Sequence, residues 1–319
     1  MQSARDVLTP DALAMLQAIS AHGSFAAAAR ALDLVPSALT YRVRQIEDAL
    51  DVLLYDRSSR QAQLTPAGAE LLREGARLLD ELDAVANRVK RVATGWEPQL
   101  TIAVDSIIAR STLLDLCEHF FTLKAPTRLK LLDETLSGTL ASLTSGRADL
   151  ALGVVLEPST SAGIHAKPLS QLGFVFGVAP RHPLAKAKEP LSDEVLRAHR
   201  SVAVADSVQK FNSPAQQAMT VGVLGGQEVF TVDNMSTKLE AQLRGLGVGF
   251  LPEPIARPYI ASGALVVKKT QRANRVIRPG YAWRGGASPD GRALQWWLKQ
   301  LERTATREAL LSHHALPVA

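Results

Sequence analysis

The chain has 319 residues, 46% hydrophobic and 21% charged, a balance that excludes general disorder and suggests more than one compact unit. Its formal net charge of +5 fits nucleic-acid binding, yet residues 1–66 carry six Arg and no Lys against seven Asp and Glu, so the placement of charge must carry any such argument. The single cysteine, Cys117, excludes an intrachain disulfide, and no run of about 18 apolar residues offers a membrane span.

Met1 to Pro10 carries Arg5 and Asp6 and no apolar run, so no signal peptide is expected and a cytoplasmic protein is. From Asp11 to Ala21, Ala12, Leu13, Met15, Leu16 and Ile19 recur at helical spacing, and His22-Gly23 ends the pattern. Ser24 precedes Phe25 to Leu32, where its hydroxyl can cap an Ala-rich helix able to pack closely. After the connector Asp33-Leu34-Val35, Pro36 suits the first position of a third helix running to about Leu50. Leu39, Val43, Ile46 and Leu50 form its core stripe. Ser37, Thr40, Tyr41 and Arg44 lie opposite, where they can hydrogen-bond to phosphates and base edges. Glu47, Asp48 and Asp51 fall in later turns and are expected to face away from a duplex. Leu53 to Leu64 reads as two short strands around a polar tip, a wing, with Arg57 and Arg60 placed to meet the DNA backbone. The pattern fits a helix-turn-helix, and also a small three-helix domain with a solvated face.

From Pro66 to Thr94 there is no further proline, and Leu71, Gly75, Leu78, Leu82, Val85, Val89 and Val92 alternate steps of four and three. Such a heptad seam seeks a partner helix, although a core helix of one domain would also satisfy it. Gly95-Trp96-Glu97-Pro98 then breaks the helix. Beyond it strands are expected at Leu100 to Val104, Leu129 to Leu132 and Asp149 to Val155, with helical patterns at Leu113 to Leu123 and Leu140 to Leu143. Further strands are expected at 173–178, 201–205, 228–232, 247–251, 265–267 and 279–283, and a last helix over 294–311. This alternation argues for α/β sheets covered by helices.

Five linked features resemble the DNA-binding domain of LysR-type transcriptional regulators: Gly23 to Ala29, Pro36 to Thr40, Ile46-Glu47 with Leu50, Tyr55-Asp56-Arg57, and Leu64 to Gly68. The resemblance continues more weakly in Ser145 to Gly153, Ala179 to Ala185 and Leu246 to Pro252. It implies an α+β multi-domain protein: a winged helix-turn-helix over 1–65, a dimerising linker helix over 66–95, and a two-lobed α/β effector domain, like periplasmic solute-binding proteins, over 96–319. Lobe I is expected at about 97–166 and 267–305, and lobe II at about 167–266. It further implies a homodimer, assembling to a homotetramer, on an interrupted dyad in double-stranded DNA. Such a regulator is more often an activator, working with RNA polymerase.

On this pattern the DNA-binding positions are Ser24, Pro36, Ser37, Thr40, Tyr41, Arg42, Arg44, Arg57 and Arg60. Two positions depart from it. The family commonly has Ser-Arg where this chain has Thr40-Tyr41, and Phe where it has Tyr55. The first departure removes a typical contacting arginine, with Arg42 and Arg44 nearby to compensate, so an operator sequence does not transfer from relatives. The positions matching an effector cleft are Asp105, Ser106, Thr135, Leu136, Ser137, Ser207 in the pair Asp206-Ser207, Asp233 and Asn234. Because Asp105 would repel a carboxylate, a neutral or phenolic effector is expected.

Catalytic signatures are missing from the sequence: there is no Gly-rich phosphate loop, nucleophile elbow or Cys/His cluster. No enzyme activity, cofactor or metal is expected. His313-His314 reads as a solvated tail, His182 as structural, and Cys117 and Trp296-Trp297 as packing. Two alternatives remain: an enzyme or binding protein on the same two-lobed fold, and a regulator with a vestigial cleft controlled by protein partners.

Overall fold

The computed structural model describes residues 3–56, 63–155, 163–208, 222–273, 275–285 and 290–314. It divides into two compact units, Met1–Val89 and Lys90–Ala319.

The first unit contains α1 (Ala4–Val7), α2 (Pro10–His22), α3 (Phe25–Ala31), α4 (Pro36–Leu50), the strands β1 (Tyr55–Asp56) and β2 (Gln63–Leu64), and most of α5 (Pro66–Thr94). Thr9 caps α2 through Ala12 N, and Gly23 ends it with φ 69, a conformation that suits a residue without a Cβ. Ser24 Oγ then accepts from Ala27 N at 3.2 Å, as its position suggests. Ala28 and Ala29 are fully buried, so α3 lies close against α2. The core joins Met15, Leu16 and Ile19 to Leu39, Val43 and Ile46, with Leu54 and Tyr55 from the wing base. The ring of Phe25 meets that of Tyr55 edge-on at 5.2 Å.

Glu47, expected only to face away from a duplex, is turned into the unit: it is 4% exposed, and its Oε1 accepts from Leu54 N at 2.8 Å and Tyr55 N at 3.3 Å. The carboxylate thus ties the start of the wing to α4. Gly68 and Gly75 bring α5 against the same unit. A Cβ at Gly68 would lie 2.1 Å from Leu54 O, and one at Gly75 2.9 Å from Leu13 Cδ2. The weak position of the heptad seam is therefore a point of close contact within the unit.

In the second unit the sheet of lobe I has the order β4-β3-β5-β13-β6. β3 (Gln99–Asp105) pairs in parallel with β4 (Arg128–Glu134) and β5 (Leu150–Val155). β13 (Pro279–Arg284) returns antiparallel between β5 and β6 (Ile164–Pro168). Helices α6 (Arg110–Thr122), α7 (Gly138–Thr144), α11 (Arg292–Leu301) and α12 (Thr304–Ser312) belong to this lobe. The single terminal helix expected over 294–311 is two helices, whose bend lets Trp297, Leu301, Leu310 and Leu311 all reach the core. Buried Glu97 accepts from Ala293 N and Leu294 N at 3.0 and 3.1 Å, placing negative charge at the start of α11.

In lobe II, β7 (Leu172–Val178) pairs antiparallel with β10 (Gly249–Pro252), β11 (Val266–Lys268) and β12 (Val276–Ile277). β8 (Ser201–Val204) and β9 (Val229–Val232) form a parallel pair. The lobe's helices are α8 (Asp193–Arg197), α9 (Met235–Leu243) and α10 (Glu253–Ala261). These pairings shift the expected lobe boundaries. β6 stays with lobe I, whereas β11 and β12 stay with lobe II, because the chain keeps pairing with β7 until Ile277. The crossovers run side by side, with Leu169 N donating to Pro279 O at 2.9 Å. Among the described residues no single helix is long and apolar enough to cross a membrane.

Candidate functional site

α4 presents the first candidate surface. Its buried stripe turns Ser37, Thr40, Tyr41, Arg42 and Arg44 outward, all exposed, with Pro36 at the first turn. Tyr41 is 64% exposed, an unusual position for an aromatic ring that stacks on no other ring among the described residues. Its hydroxyl accepts from Gln45 Nε2 at 3.2 Å and keeps its own proton to donate elsewhere. Thr40 Oγ1 donates to Pro36 O at 3.0 Å, so it remains an acceptor toward solvent. Among the described residues no carboxylate pairs with Arg42 or Arg44. Ser24 differs from the others: its hydroxyl is engaged as the α3 cap. Arg57 and Arg60 lie outside the described residues.

Along α5 the seam divides in two. Leu71 packs partly buried against the first unit's core, and Gly75 against Leu13. Leu78, Leu82, Val85, Val89 and Val92 are all exposed, rising to 76% at Val92. Five apolar side chains in heptad spacing on one exposed helix leave an unfilled packing face.

Between the lobes the structure separates the eight expected effector residues by role. Three of them join lobe to lobe. Thr135 N donates to Ser207 Oγ at 3.1 Å and Thr135 Oγ1 to Ala205 O at 2.6 Å. Ser137 Oγ donates to the Asp206 carboxylate at 2.6 and 2.7 Å, and Ser207 Oγ donates to Glu134 Oε2 at 2.5 Å. Glu134 is buried and also meets Arg147 at 3.2 Å. This polar latch holds the loop after β4 against the loop after β8.

Asp105 serves the backbone. It is 5% exposed, and its two oxygens accept from Ile107 N at 2.9 Å and Leu136 N at 2.8 Å. Burial is the larger influence and pushes its pKa up to about 6, against these hydrogen bonds. Leu136 takes φ 55 in presenting its N–H to that carboxylate. Gly153, with φ 90, makes room for it, since a Cβ there would lie 2.6 Å from Asp105 Cβ. Asn234 Oδ1 caps α9 through Thr237 N at 2.8 Å. Asp233 and Asn234 line a wider opening with Arg110 and Tyr259.

A second cavity lies deeper between the lobes, walled by Ser106, Ile107 and Leu136 from lobe I and by Phe174, Met235 and Phe250 from lobe II. Lys238 and Arg275 also line it. Neither residue was expected at the cleft from the sequence. The signal for Lys238 was present: Met235, Leu239 and Gln242 form the inward stripe of α9, and a Lys falls beside them. Arg275 precedes a two-residue strand, too short to read from periodicity. His182 proves structural, its Nδ1 accepting from Leu184 N at 3.2 Å at the start of a short turn. His314 is half-buried rather than fully solvated.

A helix-turn-helix with an exposed polar face, a helix with an open apolar seam, and a two-lobed domain with an internal cavity define a ligand-responsive DNA-binding regulator. The chain belongs to the LysR family of transcriptional regulators. Residues 93–306 match the family described as LysR substrate binding domain, and residues 10–69 the bacterial regulatory helix-turn-helix protein, lysR family. The uncharacterized HTH-type transcriptional regulator YeeY of Escherichia coli (strain K12) is 38% identical, covering 91% of this chain and 92% of its own. The probable HTH-type transcriptional regulator YhaJ of the same organism is 34% identical over 93% and 96%. The HTH-type transcriptional activator AllS of Klebsiella pneumoniae is 29% identical over 82% and 95%. Among solved structures, full-length CbnR in complex with its target DNA shares the fold, with a TM-score of 0.56 at 17% identity over 95% and 100% of the two chains. The protein is thus a DNA-binding transcriptional regulator with an effector-binding domain.

Proposed function

We propose that the protein works as a dimer paired through the distal half of α5, with Ser37, Thr40, Tyr41 and Arg44 of each copy reading one half-site of an interrupted dyad. The observation that carries this is the exposed seam Leu78, Leu82, Val85, Val89 and Val92, directly following a segment already packed on the reading unit. A seam of this kind buries its apolar side chains only against a second helix, and a twofold protein calls for a twofold site. A dimer of dimers is supported by Leu114 and Phe121, exposed at 55% and 59% on α6 and suited to a second contact between copies. An effector between the lobes shifts the balance of two arrangements, with the latch of Thr135, Ser137 and Ser207 breaking or tightening as the lobes move. The protein is proposed to activate transcription with RNA polymerase in the cytoplasm, a role in keeping with its relative AllS being a transcriptional activator, and no catalytic role is proposed for the cleft.

The test is a selection of genomic fragments by the purified full-length protein, read by sequencing and followed against salt. An enriched interrupted dyad, with affinity falling steeply as salt rises, is expected. Folded protein that enriches no sequence refutes the reading.

A further inference from the structure

The inner cavity has an uncompensated charge. Lys238 lies on the inward face of α9, 6% exposed, and lines the cavity with Arg275. Among the described residues neither forms an ion pair or side-chain hydrogen bond. The guanidinium of Arg275 sits over the ring of Phe174, 5.5 Å from its centroid. The carboxylate sharing the lining, Asp105, already accepts from Ile107 N and Leu136 N. Beside Lys238 the amide of Gln242 is fully buried, and neither its nitrogen nor its oxygen has a hydrogen-bond partner. Gly249 leaves both side chains room: a Cβ there would stand 2.9 Å from Gln242 Nε2 and 3.6 Å from Lys238 Nζ.

Buried charges are normally paired, because an ammonium removed from water loses its hydration and regains it only from an opposite charge or from oxygen acceptors. Burial and the facing Arg275 together push the Lys238 pKa down to about 8, so it stays largely protonated at neutral pH with no anion beside it. Most of the remaining wall is apolar, with Ile107, Leu136, Phe174 and Phe250, and of its two hydroxyls, on Ser106 and Thr135, that of Thr135 already donates to Ala205 O.

Resting on the reading of this cleft as the effector site, we infer that it takes a small molecule with one carboxylate on an apolar body, the carboxylate against Lys238 and Arg275 and the body between Phe174 and Phe250. This replaces the neutral or phenolic effector expected from Asp105, because that carboxylate is spent on the backbone and two cations face the space instead.

The test uses the full-length protein and pairs of probes that differ only in charge: benzoate with benzamide, phenylacetate with phenylacetamide, and hexanoate with hexanamide, with inorganic phosphate as a further arm. Thermal midpoints and calorimetric titration are read at millimolar ligand. At least one carboxylate is expected to raise the midpoint while its amide does not. Lys238→Met is expected to raise the ligand-free midpoint, by removing an unpaired buried charge, and to weaken carboxylate binding by roughly ten- to a hundredfold. Arg275→Gln, at a less buried position, should weaken it without that gain in stability. If the amides bind and the carboxylates do not, the inference is wrong while the effector reading stands. Phosphate binding in place of every carboxylate also overturns it. If no probe binds and Lys238→Met leaves the midpoint unchanged, both the inference and the effector reading fall.

Discussion

Replacing Glu47 tests whether the first unit is held as described. Its carboxylate is 4% exposed and accepts two backbone N–H groups, at 2.8 and 3.3 Å, from Leu54 and Tyr55 where the chain leaves α4 for the wing. Hydrogen bonds to a charged group contribute roughly 1.5–3 kcal/mol, and each buried N–H left without an acceptor costs about 1–3 kcal/mol. The longer bond belongs at the lower end. Glu47→Ala should therefore destabilise the first unit by about 3–5 kcal/mol, and Glu47→Gln, which keeps one neutral acceptor, by about 1–2 kcal/mol. Against a total of about 5–15 kcal/mol for a typical domain, the alanine variant should be close to unfolding. The assay is urea unfolding of the full chain followed by two probes. All four tryptophans, Trp96, Trp283, Trp296 and Trp297, lie in the second unit, so their fluorescence reports that unit alone. Helical circular dichroism reports both. The expected result is an early dichroism transition with unchanged tryptophan unfolding, accompanied by loss of DNA affinity as the wing base loosens. An alanine variant within about 1 kcal/mol of the parent, or an equal shift in the tryptophan transition, would refute the assignment of Glu47 as an anchor.

Three further outcomes are expected. Arg44→Ala should cost roughly 1–3 kcal/mol on the selected operator and relax preference at one base position, measured by competition titration; unchanged affinity would show that α4 docks by another face. Val89→Asp should weaken self-association through α5 by at least about tenfold in sedimentation velocity while leaving the thermal unfolding of the first unit in place; an unchanged dimer would remove the seam from the interface. Asp105 has a folded-state pKa raised from 3.8 to about 6, so the folded protein holds this proton more tightly than the unfolded chain. Its effect on stability therefore turns favourable as pH falls through about 6 to 3.8 and is lost as pH rises again through that window. Compared with the non-titrating Asp105→Asn, the parent should gain in thermal midpoint across this window, and a gap independent of pH would contradict the raised pKa.

The sequence alone determined what depends on neighbours along the chain. Ser24 and Pro36 set helix starts through capping and a fixed φ, and the stripe Leu39, Val43, Ile46 decided which side of α4 faces solvent. The seven-residue period of α5 was legible for the same reason. Tertiary structure decided what depends on contacts across the chain. Glu47 lies in a polar stretch of sequence yet is buried, because two N–H groups of the wing base require an acceptor there. Gly75, the gap in the seam, marks where α5 turns to its own unit. Thr135, Ser137 and Ser207 stand at strand ends as expected for ligand contacts, but the approach of the lobes gives their hydroxyls partners in protein. Lys238 and Arg275 are far apart in sequence on elements of different kind, and only the folding of lobe II brings two like charges to one cavity. A sequence records which groups can bond, but a side chain's role is set by which partners reach it first, and those partners come from distant segments.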